Sequence, residues 1–544
     1  MKGKITFALL MVGFSLAHLH ARGPNILFCI SDDQSYPHAS AYGTTWVKTP
    51  AFDRVAREGL LFTRAYTPNA KCAPSRACIL TGRNSWQLEA AANHNGFYPR
   101  GYRSFMEALA DKGYFTGFTG KGWAPGVAGE VNGKPRQLTG PAFNALKTKP
   151  PTGAMAAVDY AANFDQFLQE RPAGQPFIFW YGGHEPHRRY EPGSGVALGQ
   201  KHLGDIDRVP KVWPDDPIVR HDLLDYAFEV EYFDRHLGKM LALLERAGEL
   251  ENTLVVVTSD NGMPFPHAKG ASYELSHHLP LAIRWGAGIV RSGRRIESYV
   301  SFIDFAPTFV EVAGLTAETA GMERIQGRSL LPILRDQAER REAGSNYVLI
   351  GQERHDVGRP DDVGYPVRGV VQDDFIYLRN FEPGRWPMCD PITGYLNTDG
   401  SPTKTLILEQ NRQGLNHWLW ELNFGRRPAE ELYDLHADPD CMFNLAGSPV
   451  HASRRATMAR VLLSNLAAQK DPRTEGNGAI FDRYPDASAA KNFYERTVLK
   501  GEKVTASWVN PTDFEPPGFD PERPLAPESE RRPANTDRPL SPPK

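Results

Sequence analysis

The sequence predicts an α/β protein: a large, mostly parallel sheet sandwiched by helices, followed by a smaller C-terminal antiparallel sheet with a helix. Three observations carry that reading. Short apolar runs of buried-strand length alternate with helical stretches over most of the chain, the pattern of a parallel sheet covered on both faces. Around Pro366 the texture changes to two β-rich segments flanking Gln372-Asp373-Asp374, which read as a hairpin and not as a crossover unit. The 544 residues, 41% hydrophobic, are enough for a sizeable core in two or three domains.

The elements follow in order. Residues 1–22 have the outline of a secretory signal: Lys2 and Lys4, a mostly apolar Ile5 to Leu16, and small Ala17 and Ala21 before Arg22-Gly23. The expected location is therefore periplasmic or extracellular. No later stretch approaches about 18 apolar residues, so an integral membrane protein is not expected. Asn25 to Ile30 is the first strand. Thr49-Pro50 opens a helix, with Thr49 as its cap, that Gly59 closes. Leu60 to Ala65 is a strand, Pro74 to Gly82 a short helix, and Ser104 to Asp111 a helix stopped by Gly113. Tyr114–Thr119, Phe177–Tyr181, Leu254–Thr258 and Leu281–Trp285 are further strands, and Asp222 to Ala247 is a long helix. Catalytic domain 23–365 then gives way to a smaller unit, 366–510. That unit holds strands Val367–Val371, Phe375–Leu378 and Glu431–Leu435 and a helix from His451 to Gln469. From Pro511 to Lys544 the chain is Pro-rich and charged, an extended or disordered tail.

Charge and cysteine usage narrow the function. Lys+Arg 62 against Asp+Glu 64 excludes a generally basic nucleic-acid binder. Five scattered cysteines do not make a disulfide scaffold.

In open parallel sheets ligands bind beyond the carboxyl ends of the strands. The first strand ends in Ser31-Asp32-Asp33 and the Leu254 strand in Ser259-Asp260-Asn261-Gly262. Asp32, Asp33, Asp260 and Asn261 offer hard oxygens that suit Ca²⁺ or Mg²⁺, with no His or Cys at the ligand spacing zinc wants; about six ligands, counting an oxygen from residue 72 or a bound anion, would favour Ca²⁺. Cys72-Ala73-Pro74-Ser75-Arg76 places a cysteine before a Pro-started helix, where backbone N–H groups favour negative charge. Arg76 lies one turn on and can return to the same point. Read alone, Cys72 could equally be a buried structural thiol or half of an awkward Cys72–Cys78 disulfide.

Cys72-Ala-Pro-Ser-Arg76 followed by Leu80-Thr-Gly-Arg83 resembles the signature of type I sulfatases. Pro24-Asn-Ile-Leu27 with Asp32-Asp33, Gly120-Lys121, His184-Glu-Pro-His187 and Ser259-Asp-Asn-Gly262 extend the resemblance from about residue 23 to 485. Within the family the chain most resembles the heparan N-sulfatase (sulfamidase) subgroup. Thr258 to Pro266, Val370 to Phe381 and Glu431-Leu-Tyr-Asp-Leu435 carry that likeness. The resemblance implies an alkaline-phosphatase-like fold and oxidation of Cys72 to formylglycine by a maturation enzyme. It also implies a metal that shares an oxygen from residue 72. Arg76, Lys121 and Lys269 would surround the sulfate, and His184 would protonate the leaving group, its imidazole titrating near about 6.5. His187 is expected to support the site from behind. Glu353, Arg354, His355 and Arg368 lie where the subgroup lines its sugar pocket. The implied substrate is a sulfated saccharide, a heparan-type glycosaminoglycan or another sulfated polysaccharide.

One departure stands out. The family places a His two residues past the lysine of Gly120-Lys121; this chain has Trp123, whose indole donates one N–H and cannot act as a base. It keeps open a weak or inactive member that binds sulfated glycans. Phosphate-ester or phosphonate hydrolysis on the same fold predicts Thr or Ser at the nucleophile, against Cys72.

Overall fold

The computed structural model describes residues 23–337, 346–516 and 518–520. The expected signal segment, 1–22, and the tail beyond 520 lie outside them. The large sheet runs, edge to edge, Val300–Ser301, Leu60–Tyr66, His278–Arg284, Thr253–Ser259, Asn25–Ser31, Phe177–Gly182 and Phe115–Gly120, with Arg294–Ile296 also paired to Leu60–Tyr66. Asn25–Ser31 lies at the centre, parallel to both neighbours: Ser31 faces Ser259, and Ile30 faces Gly182. That register brings three strand ends, and the chemistry after them, to one rim.

Both faces of this sheet are buried, and alternate residues take opposite sides as the two-residue pleat requires. Ile26, Phe28 and Ile30 pack with Ile79, Leu109, Phe305 and Phe309, beneath helices Cys72–Thr81, Phe105–Asp111 and Phe305–Val312. Leu27 and Cys29 face Phe52, Phe164, Phe233 and Leu237, from helices Pro50–Glu58, Tyr160–Glu170 and the 30-residue Pro217–Arg246. Each fully buried Leu or Phe in these layers contributes about 1.5–3 kcal/mol.

Two local expectations are corrected. The strand placed at Leu281–Trp285 begins at His278 and runs antiparallel to both neighbours, the exception in an otherwise parallel sheet. Thr49 makes no side-chain cap; the Asp234 carboxylate caps the helix instead, accepting from Ala51 and Phe52 N–H at 2.9 and 2.8 Å.

The smaller sheet has four antiparallel strands in the order Tyr347–Gln352, Val367–Gln372, Phe375–Asn380, Glu430–Asp434. Its first strand precedes Pro366 and was not anticipated. The hairpin is as read, turning at Asp373 and Asp374, both at positive φ (50° and 60°). Helix Ala452–Ala468 covers one face through Met458, Leu462 and Leu466. The other face packs on Met263, Phe265 and Tyr273, from the segment that follows Asn261. The start of the tail is docked and not merely draped: Asp513 pairs with Lys404 at 3.1 Å, and Glu515 with Arg412 at 2.9 Å. No helix among the described residues is long and apolar enough to cross a membrane.

Candidate active site

Beyond the strand ends lies a cavity of about 680 Å³ whose lining includes Asp32, Cys72, Lys121, His184 and Lys269. Helix Cys72–Thr81 starts at Cys72 itself, two residues earlier than expected, and Gly82 closes it at φ +68°. Ser75 ties this helix to the carboxylate rim, donating to the Asp260 carbonyl at 2.5 Å. Arg76, wholly buried, donates from Nε to Asp260 Oδ2 at 2.7 Å and from Nη1 to the Lys121 and Gly122 carbonyls at 2.7 and 2.9 Å. Its role in the fold is thus to lock the Cys72 helix, Asp260 and the Lys121 loop together.

The acidic groups converge as the strand ends suggested. Ligand atoms of Asp32, Asp33, Cys72 and Asp260 all lie within 4.8 Å of one another. Asn261 completes the set: its Nδ2 donates to Asp33 Oδ1 at 2.6 Å, while its Oδ1 is buried with no hydrogen-bond partner among the described residues. A buried, orphaned amide oxygen beside three carboxylates costs about 1–3 kcal/mol unless something cationic meets it. These donors fit a hard divalent cation.

The lysines sit on the same carboxylates. Lys121 Nζ is 2.7 Å from Asp32 Oδ2, and Lys269 Nζ bridges Asp33 and Asp399 at 2.7 Å each. Burial pushes the Asp32 carboxyl up, but Lys121 and Arg76 outweigh it and hold the group well below the usual range. Asp260 is pushed up to about 7, by burial first and then by Asp32. Burial, then Asp32, also pushes the Cys72 thiol well up, so an unmodified Cys72 stays a thiol and a poor nucleophile. All five cysteines are free, Cys72 and Cys78 included.

His184 ends the Phe177–Gly182 strand region with its backbone N–H on Tyr160 Oη at 3.1 Å. Burial, aided by Lys121 and Arg76 against Asp32, brings its imidazole down to about 4. The expected titration near about 6.5 is therefore corrected: this histidine is neutral at neutral pH. His187 reaches further in than expected, lining the cavity with Nε2 3.8 Å from Asp33 Oδ2. Trp123 occupies its position by packing, not by chemistry. Its Nε1 donates to the Ala73 carbonyl at 2.9 Å and its ring meets Tyr98 edge-on.

The expected sugar-pocket residues are the main correction: Glu353, Arg354, His355 and Arg368 are all buried, and none is among the residues lining the cavity. Arg368 binds Glu353 and Asp471 at 2.7 Å each, and Glu353 also holds Arg473 at 2.7 Å. Arg354 donates to the carbonyls of Tyr484 and Pro485, and His355 Nε2 lies 2.7 Å from Asn69 Oδ1. They clamp the small sheet to its surroundings. The cavity wall is built instead by Lys71, His94, Asp356, Asp399 and Trp508, which sequence reasoning missed. Asp399-Gly400 reads as an ordinary turn, and the others carry no motif.

A family model described as Sulfatase matches residues 24–315. The human N-sulphoglucosamine sulphohydrolase is 30% identical over 499 residues, 85% of this chain and 92% of that protein. An N-acetylglucosamine-6-O-sulfatase of Bacteroides thetaiotaomicron is 24% identical, covering 82% and 87%. Among solved structures, one in complex with its substrate D-glucosamine-2-N,6-O-disulfate superposes at TM-score 0.60 with 21% identity, over 83% of this chain and 99% of that one. The phosphonate monoester hydrolase of Agrobacterium radiobacter shares the fold at TM-score 0.57 and 18% identity, over 83% and 97%. With a buried cysteine on a helix start, among carboxylates and cations at the sheet's carboxyl rim, and a family model matching residues 24–315, this chain belongs to the sulfatase family.

Proposed function

We propose that this sulfatase hydrolyses sulfate ester or sulfamate groups on a sulfated saccharide of the glycosaminoglycan type, after export from the cytoplasm and oxidation of Cys72 by a maturation enzyme. The observation that carries the reading is the convergence of Cys72 with Asp32, Asp33 and Asp260 at a cavity that Asp32, Cys72, Lys121 and Lys269 help to line. The 30% identity to an N-sulphoglucosamine sulphohydrolase favours a glucosamine-type substrate.

Asp32, Asp33, Asp260 and Asn261 would hold the divalent cation, calcium rather than magnesium, because calcium accepts the larger number of oxygen ligands. Such a cation would supply Lewis-acid polarisation, and formylglycine at position 72 would supply a hydrated aldehyde as nucleophile. The chain's own residues do the rest. Lys121 and Lys269 keep positive charge on the cavity floor where sulfate oxygens gain charge. Arg76 holds Asp260 and the Lys121 loop in place, so the cationic floor is preorganised before substrate arrives. His184 Nδ1 or Nε2, neutral in the free protein, gains a proton as the sulfate anion enters and returns it to the leaving oxygen or nitrogen.

The test is turnover of N-sulfoglucosamine and of 4-nitrophenyl sulfate by protein co-expressed with a formylglycine-generating enzyme. Mass spectrometry across residue 72 establishes the extent of maturation. Release of sulfate that scales with formylglycine content supports the reading. Matured protein that cleaves neither compound, or that prefers a phenyl phosphonate ester, refutes it.

A further inference from the structure

The cavity has a second polar wall that the sulfate chemistry does not use. Lys71 immediately precedes Cys72 and is nearly wholly buried; its Nζ lies 2.6 Å from Asp356 Oδ2. The other carboxylate oxygen of Asp356 faces His94 Nδ1 at 3.4 Å. His94 Nε2 is buried, with no hydrogen-bond partner among the described residues, and the residue lines the cavity. A buried polar atom without a partner carries a free-energy cost that a polar group entering the cavity would relieve. Asp356 is itself fixed, its N–H donating to Asn397 Oδ1 at 3.0 Å.

Trp508 lines the same cavity. Its Nε1 is occupied by the Leu396 carbonyl at 2.8 Å, and its own carbonyl accepts from Gly400 N–H at 2.7 Å. The indole is thus pinned by its edge, beside the turn that carries Asp399, and can offer only apolar surface to a ligand. Lys71 and Asp356 cancel in charge, so this wall does not attract a second anion. It presents instead a lysine donor, a carboxylate acceptor and an imidazole next to a pinned aromatic ring.

We propose that Lys71, Asp356, His94 and Trp508 form a pyranose subsite that reads the ring hydroxyls of the saccharide whose sulfate is removed. Asp356 accepts from one hydroxyl, His94 Nε2 serves its neighbour, and Trp508 packs against the apolar side of the ring. This inference rests on the sulfatase reading for its substrate, but the subsite also predicts affinity for the desulfated sugar. Two experiments separate the two claims.

Calorimetric titration of glucosamine into the protein reads the subsite without turnover. His94→Ala and Trp508→Ala are expected to weaken binding about 10- to 100-fold, while Trp508→Phe retains most of it. In matured protein, the same alanine variants should lower the ratio of kcat/KM for N-sulfoglucosamine over 4-nitrophenyl sulfate by a similar factor. Equal losses on both sulfates, or glucosamine affinity unchanged in the folded variants, overturn the subsite. Absence of sulfate release with glucosamine binding intact and sensitive to His94 would refute the sulfatase reading and leave the subsite standing.

Discussion

Arg368→Met separates a structural arginine from a substrate-binding one. The wild-type guanidinium is fully buried, with Nε on Asp471 and Nη2 on Glu353, both at 2.7 Å, and Nη1 on the Gln352 and Val367 carbonyls at 3.1 and 3.0 Å. Methionine fills a similar volume over Trp86 without the donors. Glu353 keeps Arg473 at 2.7 Å, so it remains paired. Asp471 loses its charged partner and becomes a buried carboxylate without one. Breaking a buried pair in this way costs about 3–5 kcal/mol, roughly a fifth or more of the 5–15 kcal/mol stability of an ordinary domain. The measurement is urea unfolding, where the midpoint should fall with little change in slope. Removing the stranded acid as well, in Arg368→Met/Asp471→Leu, should recover most of the loss, because an apolar replacement of a buried pair is often neutral. KM for N-sulfoglucosamine, measured on folded protein, should stay within about twofold. A variant as stable as wild type but with KM raised tenfold or more would refute the assignment and return Arg368 to the sugar pocket.

Cys72→Ser should abolish turnover and leave sulfate bound to the protein, because a single hydroxyl cannot release it by collapse to an aldehyde; full activity in the serine variant excludes the formylglycine route. Chelation of divalent cations should lower both activity and thermal midpoint. Calcium should restore both, a hundredfold excess over its Kd adding about 2.7 kcal/mol, and zinc recovered from active protein counts against the oxygen site. Burial pushes Asp234 up to about 7. From about pH 4 to 7 the folded chain therefore keeps a proton that the unfolded chain has lost, and this contribution to stability falls as pH rises. Unfolding of Asp234→Asn should lack that fall, and parallel curves for the two proteins refute it. His184→Ala should slow N-sulfoglucosamine far more than 4-nitrophenyl sulfate, whose phenolate leaves readily; equal losses make His184 a positioning residue.

What the sequence disclosed followed how locally each feature is encoded. The Asn25–Ser31 strand, the Cys72–Thr81 helix and the 372–375 hairpin were legible because apolar runs, a proline near the helix start and a two-residue turn all act within a few residues of themselves. The reversal of His278–Arg284 had a signal that went unread. Parallel neighbours need a crossover, usually a helix, yet between Ser259 and His278 the chain has only the short helix Glu274–His277. That segment is spent on Asp260, Asn261 and Lys269, which is why it returns directly and leaves the next strand antiparallel. Strand Tyr347–Gln352 was hidden differently, since its apolar run lies on the far side of an expected boundary and pairs 20 or so residues ahead.

The candidate site divides along the same line. Asp32, Asp33, Asp260 and Asn261 were found because a parallel sheet sends every strand end to one rim, so the topology alone brings them together. Glu353 and Arg368 were misplaced because a charged residue reads as exposed until its partner is known. Their partners, Asp471 and Arg473, lie more than a hundred residues on, where no spacing rule connects them. The same distance concealed the second wall. Asp356, Asn397 and Trp508 come from three loops of the smaller half, and what unites them is that each is tied to the turn before Gly400. That turn also carries Asp399, the second partner of Lys269. One loop thus braces both the Lys269 side of the cavity and the proposed sugar wall, so shortening it should slow 4-nitrophenyl sulfate and N-sulfoglucosamine alike, whereas substitutions at His94 alone should spare 4-nitrophenyl sulfate.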